Sequence, residues 1–247
     1  MGQPTPTCRA PAACGAFNYA QLMTRLTGVR APEDVTTRER PHSPAWNRSR
    51  AQVLADPRVR LAAGAAAVLV SAMAVRRNRV GPAEARAFRA VNGLPDSLYL
   101  PAWAVMQLGT LGAAPVAAGL AWLAGDGELA RRLLVGGTGT WALSKLVKQV
   151  VRRPRPVTLL PAIRTRGRDA AGLGYLSGHA GVAVALGAAA LPRLGPVGRA
   201  LTLSAVPAVG LTRVYVGAHL PLDIAGGAAL GLAVDGAVGL ITSAARR

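Results

Sequence analysis

The chain has 247 residues, 51% of them hydrophobic and only 4% aromatic, with a formal net charge of +18 and a mean hydropathy of +0.30. That pairing of apolarity with basicity admits two classes, a nucleic-acid binder or a membrane protein with basic loops. The basic residues gather between long apolar runs rather than coating a polar surface over a modest core. This pattern excludes the nucleic-acid module and leaves an integral membrane protein.

Residues 1–57 are rich in Pro, Thr, Arg and Ser and contain no apolar run that could serve as the core of a signal peptide. They read as a disordered basic tail on the cytoplasmic side, followed by a membrane domain over 58–247. Cys8 and Cys14 match no metal-site spacing and imply no disulfide, and His42 reads as incidental.

Six apolar spans follow. Residues 61–75 form a short first span framed by Arg58 and Arg60 before it and Arg76, Arg77 and Arg79 after it. A bilayer core takes about 20 helical residues, so this span borrows its flanks, with arginines snorkelling. Residues 82–94 read as an amphipathic helix that either lies in the headgroup layer or packs against the bundle. Residues 98–123 are the second span, with Trp103 and Trp122 near its ends as an interfacial belt. The third runs from Leu133 to about Val151, and a polar loop follows from Arg152 to Tyr175. Residues 178–191 are the fourth span, 200–216 the fifth with a kink expected at Pro207, and the sixth starts near Pro221 and ends near Ala245.

The chemistry-bearing residues fall at one end of these spans. The stretch LTRVYVGAHLPLD (211–223) sets Arg213, His219 and Asp223 in apolar surroundings. Ionisable groups are costly there and mark a functional site. His219 and Asp223 are four residues apart, so the carboxylate can engage one ring nitrogen and fix which tautomer the other presents. Lysine occurs only at Lys145 and Lys148, in a chain whose other cations are all arginine; that suggests a place where a compact ammonium is wanted. With six spans and both termini on one side, Lys148, Arg155, Ser177, Gly178, His179, Arg213, His219 and Asp223 share the opposite face.

KQVVRRPRP (148–156), YLSGH (175–179) and TRVYVGAHLPLD (212–223) together resemble the three-part signature of the type 2 phosphatidic acid phosphatase family. That superfamily also includes the vanadium haloperoxidases. Its pattern is Lys, six residues, Arg-Pro; then Pro-Ser-Gly-His; then Ser-Arg, five residues, His, three residues, Asp. Leu176 stands in place of the Pro and Thr212 in place of the Ser. Lys145 precedes Arg153-Pro154 at a spacing one residue longer, and the six-residue spacing favours Lys148.

The resemblance implies an all-α membrane bundle of about six helices acting on a lipid phosphate, such as phosphatidic acid, phosphatidylglycerophosphate or a polyprenyl diphosphate. Lys148, Arg155 and Arg213 would oppose a phosphate carrying about two negative charges. Ser177 and Gly178, opening the fourth span, would offer backbone N–H groups to it. His219 would attack phosphorus to give a phosphohistidine, Asp223 would stabilise the resulting imidazolium, and His179 would serve as acid and then as base. Arg152 and Arg153 read as a basic loop facing headgroups. Asp235, twelve residues beyond Asp223 and about 18 Å away at 1.5 Å per residue, reads as a polar group facing other helices or the interface.

No cluster of Asp, Glu or His suggests a metal, and no cofactor or nucleic acid is expected. Phosphotransfer to an alcohol and anion transport without turnover are the competing readings; a soluble haloperoxidase is disfavoured by the spans. The family resemblance implies an outward-facing site, and the basic residues at 131, 132, 193, 199, 246 and 247 favour cytoplasmic termini.

Overall fold

In the computed structural model the described residues are 56–167 and 172–245. The expected tail, with Cys8, Cys14 and His42, lies outside them, as do Arg246 and Arg247. Every regular element among the described residues is helical.

Helix α1 (Pro57–Val75) begins at Asp56, whose carboxylate caps the Arg58 N–H at 2.8 Å, with Pro57 in the first turn. Helix α2 (Pro82–Asn92) is the amphipathic segment. It packs against the bundle, with Glu84, Ala85, Phe88 and Asn92 buried. A short 3-10 turn leads into α3 (Tyr99–Met106), and a second one, Gln107–Gly109, ends it. Helix α4 (Ala113–Leu123) then leaves at a bend of 67°. The stretch expected as one span over 98–123 is therefore broken. Gly109 lies at the break and packs tightly there: a Cβ on it would come within 2.5 Å of the His179 carbonyl oxygen and 2.7 Å of Val209 Cγ1.

Helix α5 (Gly127–Val151) starts six residues before the expected Leu133, capped by Asp126 on the Leu129 N–H at 2.9 Å. It ends at Arg152, which takes a left-handed φ of 52°. A one-turn helix, α6 (Pro156–Leu159), lies in the following loop. Helix α7 (Gly178–Ala190) has 13 residues, about 20 Å at 1.5 Å per residue. Helix α8 (Pro196–Tyr215) continues as one element through Pro207, and α9 (Pro221–Ala244) closes the chain.

By length and composition, α1 and α9 can each cross a membrane, and the bent 96–123 pair makes a third if counted as one span. The other expected spans do not reach that length and apolarity: α7 has 13 residues, α5 carries Lys145 and Lys148 within the expected span, and α8 carries Arg199 and Arg213.

The packing is inside-out relative to a water-soluble bundle. Leu69, Met73, Leu100, Val116, Trp122 and Val150 are mostly exposed, whereas the interior is rich in alanine and glycine. Surface of this kind is stable against lipid, and small residues let helix backbones approach closely. Cβ atoms at Gly64 and Gly231 would sit 2.5 Å from Ala233 N and 2.2 Å from Gly181 O, so α9 touches α1 and α7 almost backbone to backbone.

Candidate active site

Five pieces of chain meet around the loop between α8 and α9. The Arg213 carbonyl ends α8 and accepts from the N–H groups of both Ala218 (3.1 Å) and His219 (3.2 Å). This tight turn presents His219 inward, 3% exposed. Leu220 N–H donates to Asp223 Oδ2 at 2.8 Å, so Asp223 caps the first turn of α9. The same Oδ2 faces His219 Nδ1 at 3.8 Å, which is ion-pair range rather than a hydrogen bond. With Nδ1 turned to the carboxylate, Nε2 is the nitrogen left for chemistry.

His219 lies outside the spanning helices. Its burial, with the charges of Lys148 and Arg213, outweighs the contrary pull of Asp223 and depresses its pKa to about 3. The imidazole is therefore neutral, as a nucleophile must be.

Opposite it, Ser177 caps α7. Its Oγ accepts from Ala180 N–H at 3.4 Å, and its own N–H donates to the Asp223 carbonyl at 2.9 Å. That second bond ties the N-terminus of α7 to the first turn of α9. The contact is so close that a Cβ at Gly227 would fall 2.2 Å from the Ser177 carbonyl oxygen. Gly178 and His179 open the helix, and a Cβ at Gly178 would meet Ser144 Oγ at 3.0 Å. His179 is within electrostatic reach of Arg213, His219, Lys148 and Arg155.

The cations arrive from three elements. Lys148, in the last turn of α5, donates from Nζ to the carbonyls of Leu173 and Gly174, each at 3.2 Å. Arg155 Nη1 donates to the Ala218 carbonyl at 2.8 Å, one residue before His219. Arg213 reaches from α8, its Nη1 against the Met106 sulfur. Lys145 points away, exposed, with its ammonium 5.1 Å from the centroid of the Trp141 ring. All eight residues singled out in the sequence thus lie around one site.

Arg153 corrects the reading of a loop that faces headgroups. It is fully buried, with Nη1 on Asp223 Oδ1 at 2.8 Å and Nη2 on Glu84 Oε2 at 2.9 Å. Burial alone would lower its pKa; the bonds from Glu84 and the charge of Asp223 more than reverse this and hold it cationic. Of Arg152 and Arg153, only Arg152 is exposed. Glu84 was missed altogether in the sequence, where the one available signal was an acid on the apolar side of an amphipathic helix.

Tyr175 was missed too: its hydroxyl meets Ser71 Oγ at 2.8 Å and donates to the Val68 carbonyl at 3.1 Å, pinning the loop before Ser177 to α1. The two departures from the family pattern have structural roles. Leu176 is buried in a cluster with Val75, Tyr175 and Leu230, and the Thr212 hydroxyl donates to the Val209 carbonyl within its own helix.

An apolar groove of about 790 Å³ starts beside the site and runs between α4, α5, α7 and α8. Its walls include Leu108, Thr110 and Val209, all next to Gly109 or touching it, and it continues past Val116, Leu133 and Leu186. Asp235 lies far from this end. It is buried between Arg60 Nε (3.1 Å) and Arg132 Nη2 (3.0 Å), so it faces other helices. Among the described residues, no group of three or more His, Cys, Asp or Glu side chains could hold a metal ion.

Residues 130–247 match the model of the PAP2 superfamily. The decaprenylphosphoryl-5-phosphoribose phosphatase of Mycobacterium tuberculosis, in strains CDC 1551 / Oshkosh and ATCC 25618 / H37Rv, is 37% identical over 111 residues. The match covers 44% of this chain and spans 60% of the length of those relatives. Among solved structures, Aquifex aeolicus LpxE superposes with a TM-score of 0.57 at 20% identity, over 63% of this chain and 93% of that one. The PAP2-type phosphatidylglycerolphosphate phosphatase of Bacillus subtilis gives 0.54 at 21% identity, over 74% and 96%. At these identities the likeness is one of fold.

Proposed function

We propose, from the match of residues 130–247 to the PAP2 superfamily model, that the protein is an integral-membrane phosphatase that hydrolyses the phosphate or diphosphate of a long-chain lipid. The observation that carries this reading is a buried, neutral His219 backed at 3.8 Å by Asp223, within reach of the charges of Lys148 and Arg213, with Arg155 bonded to the carbonyl of the preceding residue. Anion binding alone needs the cations; it has no use for a carboxylate behind the imidazole.

In the first step the Nε2 lone pair of His219 attacks phosphorus, forming a P–N bond as the P–O bond to the lipid breaks. The charge of the bound phosphate offsets the cations around His179 and lets it carry a proton, which it gives to the departing oxygen, while Asp223 stabilises the imidazolium. In the second step His179 takes a proton from water, whose oxygen attacks phosphorus. The P–N bond breaks and inorganic phosphate leaves. Lys148, Arg155, Arg213 and the N–H groups at the start of α7 carry the charge on the phosphoryl oxygens throughout. Charge-assisted bonds of this kind contribute about 1.5–3 kcal/mol each.

The groove beside His179 suits an apolar chain, and the named substrate of the Mycobacterium relative is a polyprenyl-linked sugar phosphate. A panel of phosphatidic acid, phosphatidylglycerophosphate, polyprenyl diphosphate and polyprenylphosphoryl sugar phosphate tests the reading by phosphate release. His219→Ala is the blank. Hydrolysis that survives in His219→Ala overturns it.

The site faces outward on this reading, supported by Arg131, Arg132, Arg193 and Arg199 at the other end of their helices. A Thr165→Cys reporter in a Cys8→Ser, Cys14→Ser background reacts with a membrane-impermeant thiol reagent on intact cells. Protection there reverses the orientation.

A further inference from the structure

Glu84 is the third residue of α2, well before the segment that matches the family model. Carboxylates are rarely buried without a partner, and this one has two. It holds Arg153 through two bonds, Nη2–Oε2 at 2.9 Å and Nη1–Oε1 at 3.2 Å, and it accepts from Leu222 N–H at 3.2 Å in the first turn of α9. Arg153, with no exposed surface, passes its remaining Nη1 interaction to Asp223 Oδ1 at 2.8 Å. Asp223 then turns its other oxygen to His219.

The row therefore reads Glu84, Arg153, Asp223, His219, with charges alternating and the acid of α2 at its far end. Asn92, at the other end of α2, donates to the carbonyls of Arg164 (2.8 Å) and Tyr215 (3.0 Å), and Phe88 packs with Val214 and Leu220. The helix is fixed against the site at three points along its length. An arginine on Asp223 with no counter-ion would drain the negative charge that the developing imidazolium needs; Glu84 offsets that drain.

We propose that Glu84 and Arg153 are positioning residues: the α2 carboxylate holds the Arg153 guanidinium, which holds Asp223 in register behind His219. This rests on the phosphohistidine reading given above. The groups bearing on His219 are Asp223 of α9, Lys148 of α5, Arg213 of α8, His179 of α7 and, from the loop, Arg153 and Arg155. Glu84 acts on it through Arg153.

The two ends of the row make opposite predictions. Glu84→Gln keeps the shape and leaves the Arg153 charge uncompensated, so the acid limb of kcat/KM moves to lower pH. Arg153→Gln leaves Asp223 and Glu84 unopposed, so that limb moves to higher pH. Each shift is about half to one pH unit, with kcat down about tenfold and KM within about twofold in Glu84→Gln. A role in folding alone lowers the yield or thermal stability of both variants and moves neither limb. Where one variant fails to fold, the direction in the other decides. Limbs that stay at the wild-type position, or failure of both variants to fold, overturn the proposal. Wild-type protein that releases no phosphate, or His219→Ala that still does, sinks the phosphatase reading instead. Active wild type, dead His219→Ala and unmoved limbs sink only this one.

Discussion

Asp223→Asn is the substitution that asks most of the geometry. The carboxylate receives two donors, Leu220 N–H and Arg153 Nη1, each at 2.8 Å, and faces His219 Nδ1 at 3.8 Å. When His219 bonds to phosphorus its ring becomes cationic. At 3.8 Å and an effective dielectric of about 20, the attraction lost is 332/(20 × 3.8), or about 4 kcal/mol. At 1.36 kcal/mol per decade this is about a thousandfold in kcat. The amide also has one acceptor where two donors converge, so one of them faces an NH2 group. Breaking a buried pair by removing one partner costs about 3–5 kcal/mol of stability. The assay is phosphate release from detergent-solubilised protein, with thermal inactivation measured in parallel. A folded Asp223→Asn protein with more than a tenth of wild-type kcat would refute the electrostatic argument.

Activity withstands EDTA and is not raised by magnesium, because the cations that oppose the phosphate are Lys148, Arg155 and Arg213; loss on chelation, restored by magnesium, would count against the mechanism. His219 titrates near 3 in the folded protein through burial and near 6.5 unfolded. Its contribution to stability is therefore complete above pH 6.5 and lost as pH falls towards 3. Thermal inactivation of wild type and His219→Gln between pH 7.5 and 4.5 checks this: the wild type loses more, and parallel curves would contradict it. Gly227→Ala forces a Cβ to within 2.2 Å of the Ser177 carbonyl oxygen. It costs about 1–3 kcal/mol by overpacking and lowers turnover by displacing the start of α7, whereas a wild-type melting temperature would show that the helices can part freely.

The candidate site was readable before any fold because its residues are of rare types in this chain. Two lysines, two histidines beyond the tail and an i, i+4 His–Asp pair stood out against a background of Ala, Gly, Val, Leu and Arg. The helices were readable for the same reason, as apolar runs between basic breaks. Their lengths were less so. Composition cannot see that the 98–123 run bends by 67° between α3 and α4, nor that Gly109, at that bend, packs against the His179 carbonyl. Nor can it see that α5 reaches back to Gly127, since Asp126 supplies the cap and Arg131 and Arg132 sit near the end of the bundle.

The row behind His219 shows where pattern reading stops. Three arginines occur within four residues at 152, 153 and 155, chemically alike, and the sequence ranks only Arg155 by its motif. What separates the other two is backbone. Arg152 ends α5 in a left-handed turn, φ 52°, with its Nε on the Gln149 carbonyl at 3.0 Å. That turn leaves Arg152 in the open and Arg153 under the site, where Glu84 is already waiting. The burial of Arg153 is affordable only because two carboxylates from distant segments meet it. Such a partnership across 69 and 70 residues of sequence leaves no periodicity or spacing to read. The alternating charges behind His219 thus depend on how α2 docks, and on the proposed reading α2 serves the chemistry although the family signature begins well after it.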